Sequence, residues 1–132
     1  MSTKRRTILV VDDEESNAEI VSRALAIAGY EVDSTTSSTH AFTMIERRRY
    51  DAVIADVRMP ALSGPELYAR TCALRPEMVR RFVFVTGDTE GKETLDFLAR
   101  SRCAYFMKPF NLERLIAAVD MLVAGGPEAS IG

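Results

Sequence analysis

Neither sign of charge dominates this chain. Seventeen basic residues face nineteen acidic ones, for a formal net charge of -2. That balance argues against an electrostatic nucleic-acid binder, which carries a basic face, and the short runs at residues 4–6 and 47–49 read as solvated charge. No apolar stretch reaches transmembrane length, and the polar, basic first residues have no apolar signal core, so the expectation is a cytoplasmic protein with no membrane partner. There are two cysteines, Cys72 and Cys103, in no CxxC or zinc-ligand spacing; they read as unpaired thiols of a reducing compartment. The single histidine, His40, opens a helix with no helical bundle around it, which excludes a phosphotransfer histidine. Internal repeats and low-complexity segments are absent as well.

What is present is a chain of 132 residues, 47% hydrophobic and 27% charged, enough for one domain with a sizeable core. Residues 7–11, 52–55, 82–85 and 104–107 are short apolar runs suited to strands covered on both faces, and residues 30–35 alternate like an edge strand. Between them lie helical patterns. Glu15 and Ser16 open the first, with the stripe Ala18, Val21, Leu25, Ala28 and Gly29 as its stop. Ser38 or Thr39 caps the second, which buries Ala41, Phe42 and Ile45 and ends in three arginines suited to the helix dipole. Pro65 starts the third, to about Leu74. Residues 90–100 and 112–123 form the fourth and fifth, the last stopped by Gly125, Gly126 and Pro127. Five strands alternating with five helices predict an α/β fold, an open parallel sheet with helices on both faces. Residues 1–6 are a polar lead, 7–123 the domain and 124–132 a tail or linker stub.

Four of the strands end on polar residues. Asp12 and Asp13 close the first, Asp56 the third, Thr86 the fourth and Lys108 the fifth. In a parallel sheet these ends share one edge, where open α/β sheets bind their ligands. Three carboxylates, a hydroxyl and an ammonium in one crevice suit a divalent cation and a phosphoryl group. An Asp-Asp pair alone reads as a helix cap; the third carboxylate, Asp56, shifts the reading to a Mg²⁺ site, since unneutralised carboxylates would raise one another's pKa. Asp56 is the nucleophile candidate, able to hold a phosphoryl group as an acyl phosphate. Lys108 and Thr86 supply positive charge and a donor, and small Gly87 leaves room beside them.

The motifs VVDDE, DVRMP with Gly64, VTG and YFMKPF together resemble the receiver domain of two-component response regulators, over nearly the whole chain. The resemblance implies a flavodoxin-like (βα)5 sheet of order 2-1-3-4-5. It implies that Asp56 takes a phosphoryl group from a histidine kinase or histidine phosphotransfer protein, with Mg²⁺ held by Asp13, Asp56 and the backbone carbonyl of Arg58, and Asp12 acting through water. Lys108 would contact the phosphoryl group, and the bond before Pro109 would be cis. Thr86 would then move toward the phosphoryl group and Tyr105 turn inward, remodelling the surface of the fourth helix, fifth strand and fifth helix for a protein target or a homodimer. Such a domain is not a turnover enzyme. Residues 86–101 and 108–115 look more like receivers attached to hybrid histidine kinases than like those of transcription factors, and the chain reads as a stand-alone regulator or a piece of a longer protein.

Two positions depart from the common pattern. Gly87 stands where alanine is frequent, which loosens that loop. Arg58 and Asp88, two residues past Asp56 and Thr86, are placed to pair across the pocket mouth and slow water attack on the acyl phosphate. Three rival readings share much of this. In an FMN-binding flavodoxin-like carrier, TGDTEG would be the phosphate loop, but that loop should follow the first strand. A haloacid-dehalogenase-like phosphatase needs a second Asp where Arg58 stands. A receiver-like module that no longer takes phosphate would not retain every site residue.

Overall fold

The computed structural model describes residues 5–87 and 91–129. Five parallel strands, β1 (Thr7–Val11), β2 (Glu31–Thr35), β3 (Ala52–Asp56), β4 (Phe82–Thr86) and β5 (Ala104–Met107), stand in the order β2-β1-β3-β4-β5. Between and after them come helices α1 (Glu15–Ile27), α2 (Ser38–Arg47), α3 (Gly64–Leu74), α4 (Lys92–Ser101) and α5 (Leu112–Ala129). The order agrees with the expectation and the strand ranges agree to within one residue. But β5, read as covered on both faces, is an edge strand with no fully buried position, because among the described residues no further strand pairs beyond it.

The strand period of two divides the core. Leu9, Val11, Val53, Ala55, Phe82 and Phe84 point to the face covered by α2, α3 and α4, while Ile8, Val10, Ile54, Val83 and Val85 meet α1 and α5. Strands β1, β3 and β4 are buried at every position; this is why they read as unbroken apolar runs. On the first face Tyr68 stands edge-on to Phe82, Phe84 and Phe97 at 5.0–6.1 Å between ring centres, a favoured aromatic geometry.

Local chemistry explains most helix ends. Gly29 follows α1 at φ 107, a conformation a side chain resists. Ala28, expected in the buried stripe, is instead the exposed C-cap. The N-cap of α2 is Ser37, whose hydroxyl accepts from the His40 N–H; Ser38, expected there, is one residue inside and buried. Ser63 and Glu66 form a reciprocal capping box at α3. The fifth helix runs on through Gly125, Gly126 and Pro127 to Ala129, contrary to the expected stop. Glycine has no steric bar to helical geometry, and nothing else in the structure explains why Pro127 is tolerated. The expected first residue of the fourth helix, Glu90, lies outside the described residues.

Arg48 was expected to serve the dipole of α2. It leaves the helix instead and closes on the edge strand, with Glu31 at 2.7 Å and Asp33 at 2.8 Å, its guanidinium 5.8 Å above the Tyr50 ring. Tyr50 donates to Asp33 at 2.7 Å, and Tyr30 donates to Asp120 on α5.

Burial, with the carboxylates beside Tyr30 and Tyr50, pushes the phenols of Tyr30, Tyr50 and Tyr68 above the usual tyrosine range. These groups hold their protons more tightly folded than unfolded. Their contribution is therefore intact below about pH 10, the unfolded value, and is lost as pH rises beyond it toward the folded values. We expect an ultraviolet titration to show three late-ionising phenols and stability to fall over that same alkaline window; phenols that all ionise near pH 10 would contradict the packing.

Candidate functional site

The carboxyl ends of β1, β3, β4 and β5 meet on one edge of the sheet. Asp12 follows β1 and is buried, and its Oδ1 accepts the Glu14 N–H at 2.9 Å. Asp13 beside it is exposed. Asp56 ends β3, which the register sets against β1 through Val11 and Ala55; it is 6% exposed, and its Oδ1 accepts the Arg58 N–H at 3.2 Å. Ligand oxygens of Asp12, Asp13 and Asp56 lie within 4.8 Å of one another.

Lys108 reaches this cluster from the end of β5. Its backbone N–H donates to the Thr86 carbonyl at 2.8 Å, and its ammonium lies 2.8 Å from Asp56 Oδ2, 3.5 Å from Asp12 Oδ2 and 3.9 Å from Glu14 Oε1. Burial pushes the Asp12 carboxyl above the usual range, against the opposing pull of the Glu14 N–H and Lys108. For Lys108 burial works against the charge, yet the hydrogen bond and attraction to Asp56, with Asp12 behind it, raise the ammonium above its ordinary value. The group therefore stays charged. Carboxylate oxygens, two sheltered and one open to water, fit a small hard cation that keeps part of its hydration.

Thr86 is fully buried at the end of β4. Tyr105 lies opposite Phe84 in β5 and is 45% exposed, so its ring is turned outward here. The Lys108–Pro109 bond is cis. Asp88 lies outside the described residues. A groove of about 780 Å³ opens beside the carboxylates, lined by Asp13, Arg58, Met59, Pro60, Phe97 and Arg100.

The two glycines of the site differ. A Cβ on Gly64 would stand 2.5 Å from the Asp56 carbonyl oxygen and 3.0 Å from Val57 Cα, so only glycine lets α3 begin against the back of Asp56. A Cβ on Gly87 would meet nothing within 4 Å; the space there does not depend on glycine. Glu14 was missed as a neighbour of Lys108, although it closes the VVDDE motif.

A family model described as "Response regulator receiver domain" matches residues 8–120. The chain belongs to the response regulator receiver domain family. The receiver is 34% identical over 121 residues to the transcriptional regulatory protein TcrA of Mycobacterium tuberculosis, covering 91% of this chain and 47% of that protein. It is 31% identical over 119 residues to the sensor kinase CckA of Brucella abortus, covering 89% of this chain and 12% of that one. It thus spans half or less of these curated relatives. Among solved structures it is similar to a CheY-like receiver domain protein of Methanospirillum hungatei, with TM-score 0.85, 26% identity and coverage of 98% and 100%. Chemotaxis protein CheY4 of Vibrio cholerae gives TM-score 0.80, 27% identity and coverage of 90% and 99%. Membership in this family sets aside the flavin-carrier and phosphatase readings.

The contrast between the glycines is measurable. Gly64→Ala should lower unfolding stability by about 1–3 kcal/mol through forced overpacking, whereas Gly87→Ala should stay within about 0.5 kcal/mol of wild type. Denaturant melts check both, and equal effects would contradict the geometry.

Proposed function

We propose that this receiver is a phosphoacceptor in two-component signal transduction, with Asp56 as the acceptor. The observation that carries the reading is the Lys108 ammonium lying 2.8 Å from Asp56 and 3.5 Å from Asp12, within a carboxylate cluster at the sheet edge. A carboxylate oxygen of Asp56 attacks phosphorus, the bond from phosphorus to the donor imidazole nitrogen breaks, and its electron pair leaves with the imidazole. Mg²⁺ would be held by Asp13, Asp56 and the Arg58 carbonyl, with Asp12 through water, and when bound it neutralises charge on the phosphoryl oxygens. Lys108 exchanges part of its contact with Asp56 for a phosphoryl oxygen, and Thr86 offers its hydroxyl to another.

Filling that position alters the end of β4 and draws Tyr105 from its outward pose, changing the surface of α4, β5 and α5. Such couplings are typically about 1–3 kcal/mol. The donor is a histidine kinase or a histidine phosphotransfer protein in the cytoplasm; the recipient is another protein, or a second copy through that surface. MtrA of Mycobacterium bovis, 31% identical over 119 residues, is named a DNA-binding response regulator, but this chain covers 51% of it. With its balanced charge we propose that this chain itself contacts protein rather than DNA. Among the described residues no helix is long and apolar enough to cross a membrane. The domain assists its own phosphorylation and dephosphorylation without turning over a substrate.

Incubation with acetyl phosphate and Mg²⁺ should add one phosphoryl mass to the wild-type chain and none to Asp56→Asn, read by intact mass spectrometry. Chelating the metal should abolish the gain. An equal gain on the Asn variant would refute the assignment of Asp56.

On the same reading Arg58, which lines the groove beside the carboxylates, shields the acyl phosphate from water. Exposed charge contacts contribute at most about 1 kcal/mol, so Arg58→Ala should shorten the phosphorylated lifetime about twofold to fivefold. An unchanged decay rate would remove this role.

A further inference from the structure

The turn between β3 and α3 is fastened at three points, and one fastening comes from another helix. At its base the Gly64 N–H donates to the Val57 carbonyl at 2.9 Å. Inside it, the Leu62 N–H donates to the Pro60 carbonyl at 2.7 Å. That bond closes a three-residue γ-turn whose middle residue, Ala61, sits at φ 68. Turns of this hand are rare and strained, more so for a residue with a Cβ. The third fastening is Ser38, the first residue of α2. It is 3% exposed, and its hydroxyl donates to the same Pro60 carbonyl at 3.0 Å.

We infer that Ser38 is a positioning residue for the phosphoacceptor loop: by holding the Pro60 carbonyl, α2 sets the backbone that presents Arg58 and Asp56 to a cation. This rests on the site reading proposed above. Arg58 lies between Val57, fixed by Gly64, and Pro60, fixed by Ser38. Met59 and Leu62 are buried, which seats their side chains but does not by itself aim the Arg58 carbonyl. Mg²⁺ tolerates little departure from octahedral geometry, so a carbonyl ligand is sensitive to such aiming, and groups one step behind the ligands commonly tune affinity. Ser38 touches no reacting atom. Its role is to keep a strained turn from relaxing.

The test is Mg²⁺ titration followed by nuclear magnetic resonance, on wild type, Ser38→Ala and the double variant Ser38→Ala/Ala61→Gly. Ser38→Ala should bind Mg²⁺ about tenfold more weakly. It should also accept phosphoryl from acetyl phosphate more slowly at low Mg²⁺, approaching the wild-type rate at saturating Mg²⁺. Glycine takes φ 68 without strain, so the double variant should recover most of the affinity. A Ser38→Ala chain that melts lower but binds Mg²⁺ like wild type overturns the inference, as does a defect that Ala61→Gly leaves untouched. A wild-type chain that binds no Mg²⁺ would refute the site reading itself, and this inference with it.

Discussion

Three carboxylates brought to one edge of a sheet repel one another, and the domain's chemistry depends on how that repulsion is met. Two unit charges at about 4 Å oppose each other by roughly 4 kcal/mol at an effective dielectric of 20. The Lys108 ammonium spans Asp56 and Asp12 and offsets part of that term. A compensation by one side chain is reversible, and under the proposed function a cation and a phosphoryl group take it over. The remaining architecture serves to hold these groups close. Strands β1 and β3 are adjacent and fully buried, so Asp12 and Asp56 cannot separate without opening the core.

The scaffold is not equally firm throughout. The central strands are sealed between two apolar clusters. Helix α4, by contrast, has one buried residue, Leu98, and it follows the end of β4 where Thr86 sits. Few buried contacts imply a low local opening energy. An event at Thr86 thus meets little resistance on that side of the sheet and much on the other, which gives the proposed switch a direction.

The fold was largely legible because its signals are redundant. Unbroken apolar runs marked the buried strands, the alternation of residues 30–35 marked the edge, and Gly29 marked a helix end. Asp12, Asp13, Asp56 and Lys108 were legible through one regularity, a polar residue at the end of an apolar run, and here too the four converge. Misreadings came where a residue's local preference lost to a distant partner. Arg48 left its helix for Glu31 and Asp33, and Ser38 ceded the cap to Ser37 and turned to a carbonyl 22 positions away. The glycines and proline near the end of α5 did not act as stops, and the helix runs on to Ala129. Gly64 and Gly87 look alike in sequence; only the packing separates a glycine that is sterically required from one that is not.

The clasp of Arg48 over β2 has a bearing on colloidal behaviour. An outermost strand ordinarily offers a ladder of open amides on which a neighbouring molecule can crystallise its own backbone. Here that strand carries two acids held by a guanidinium, charges of the kind that discourage edge-to-edge pairing from that side.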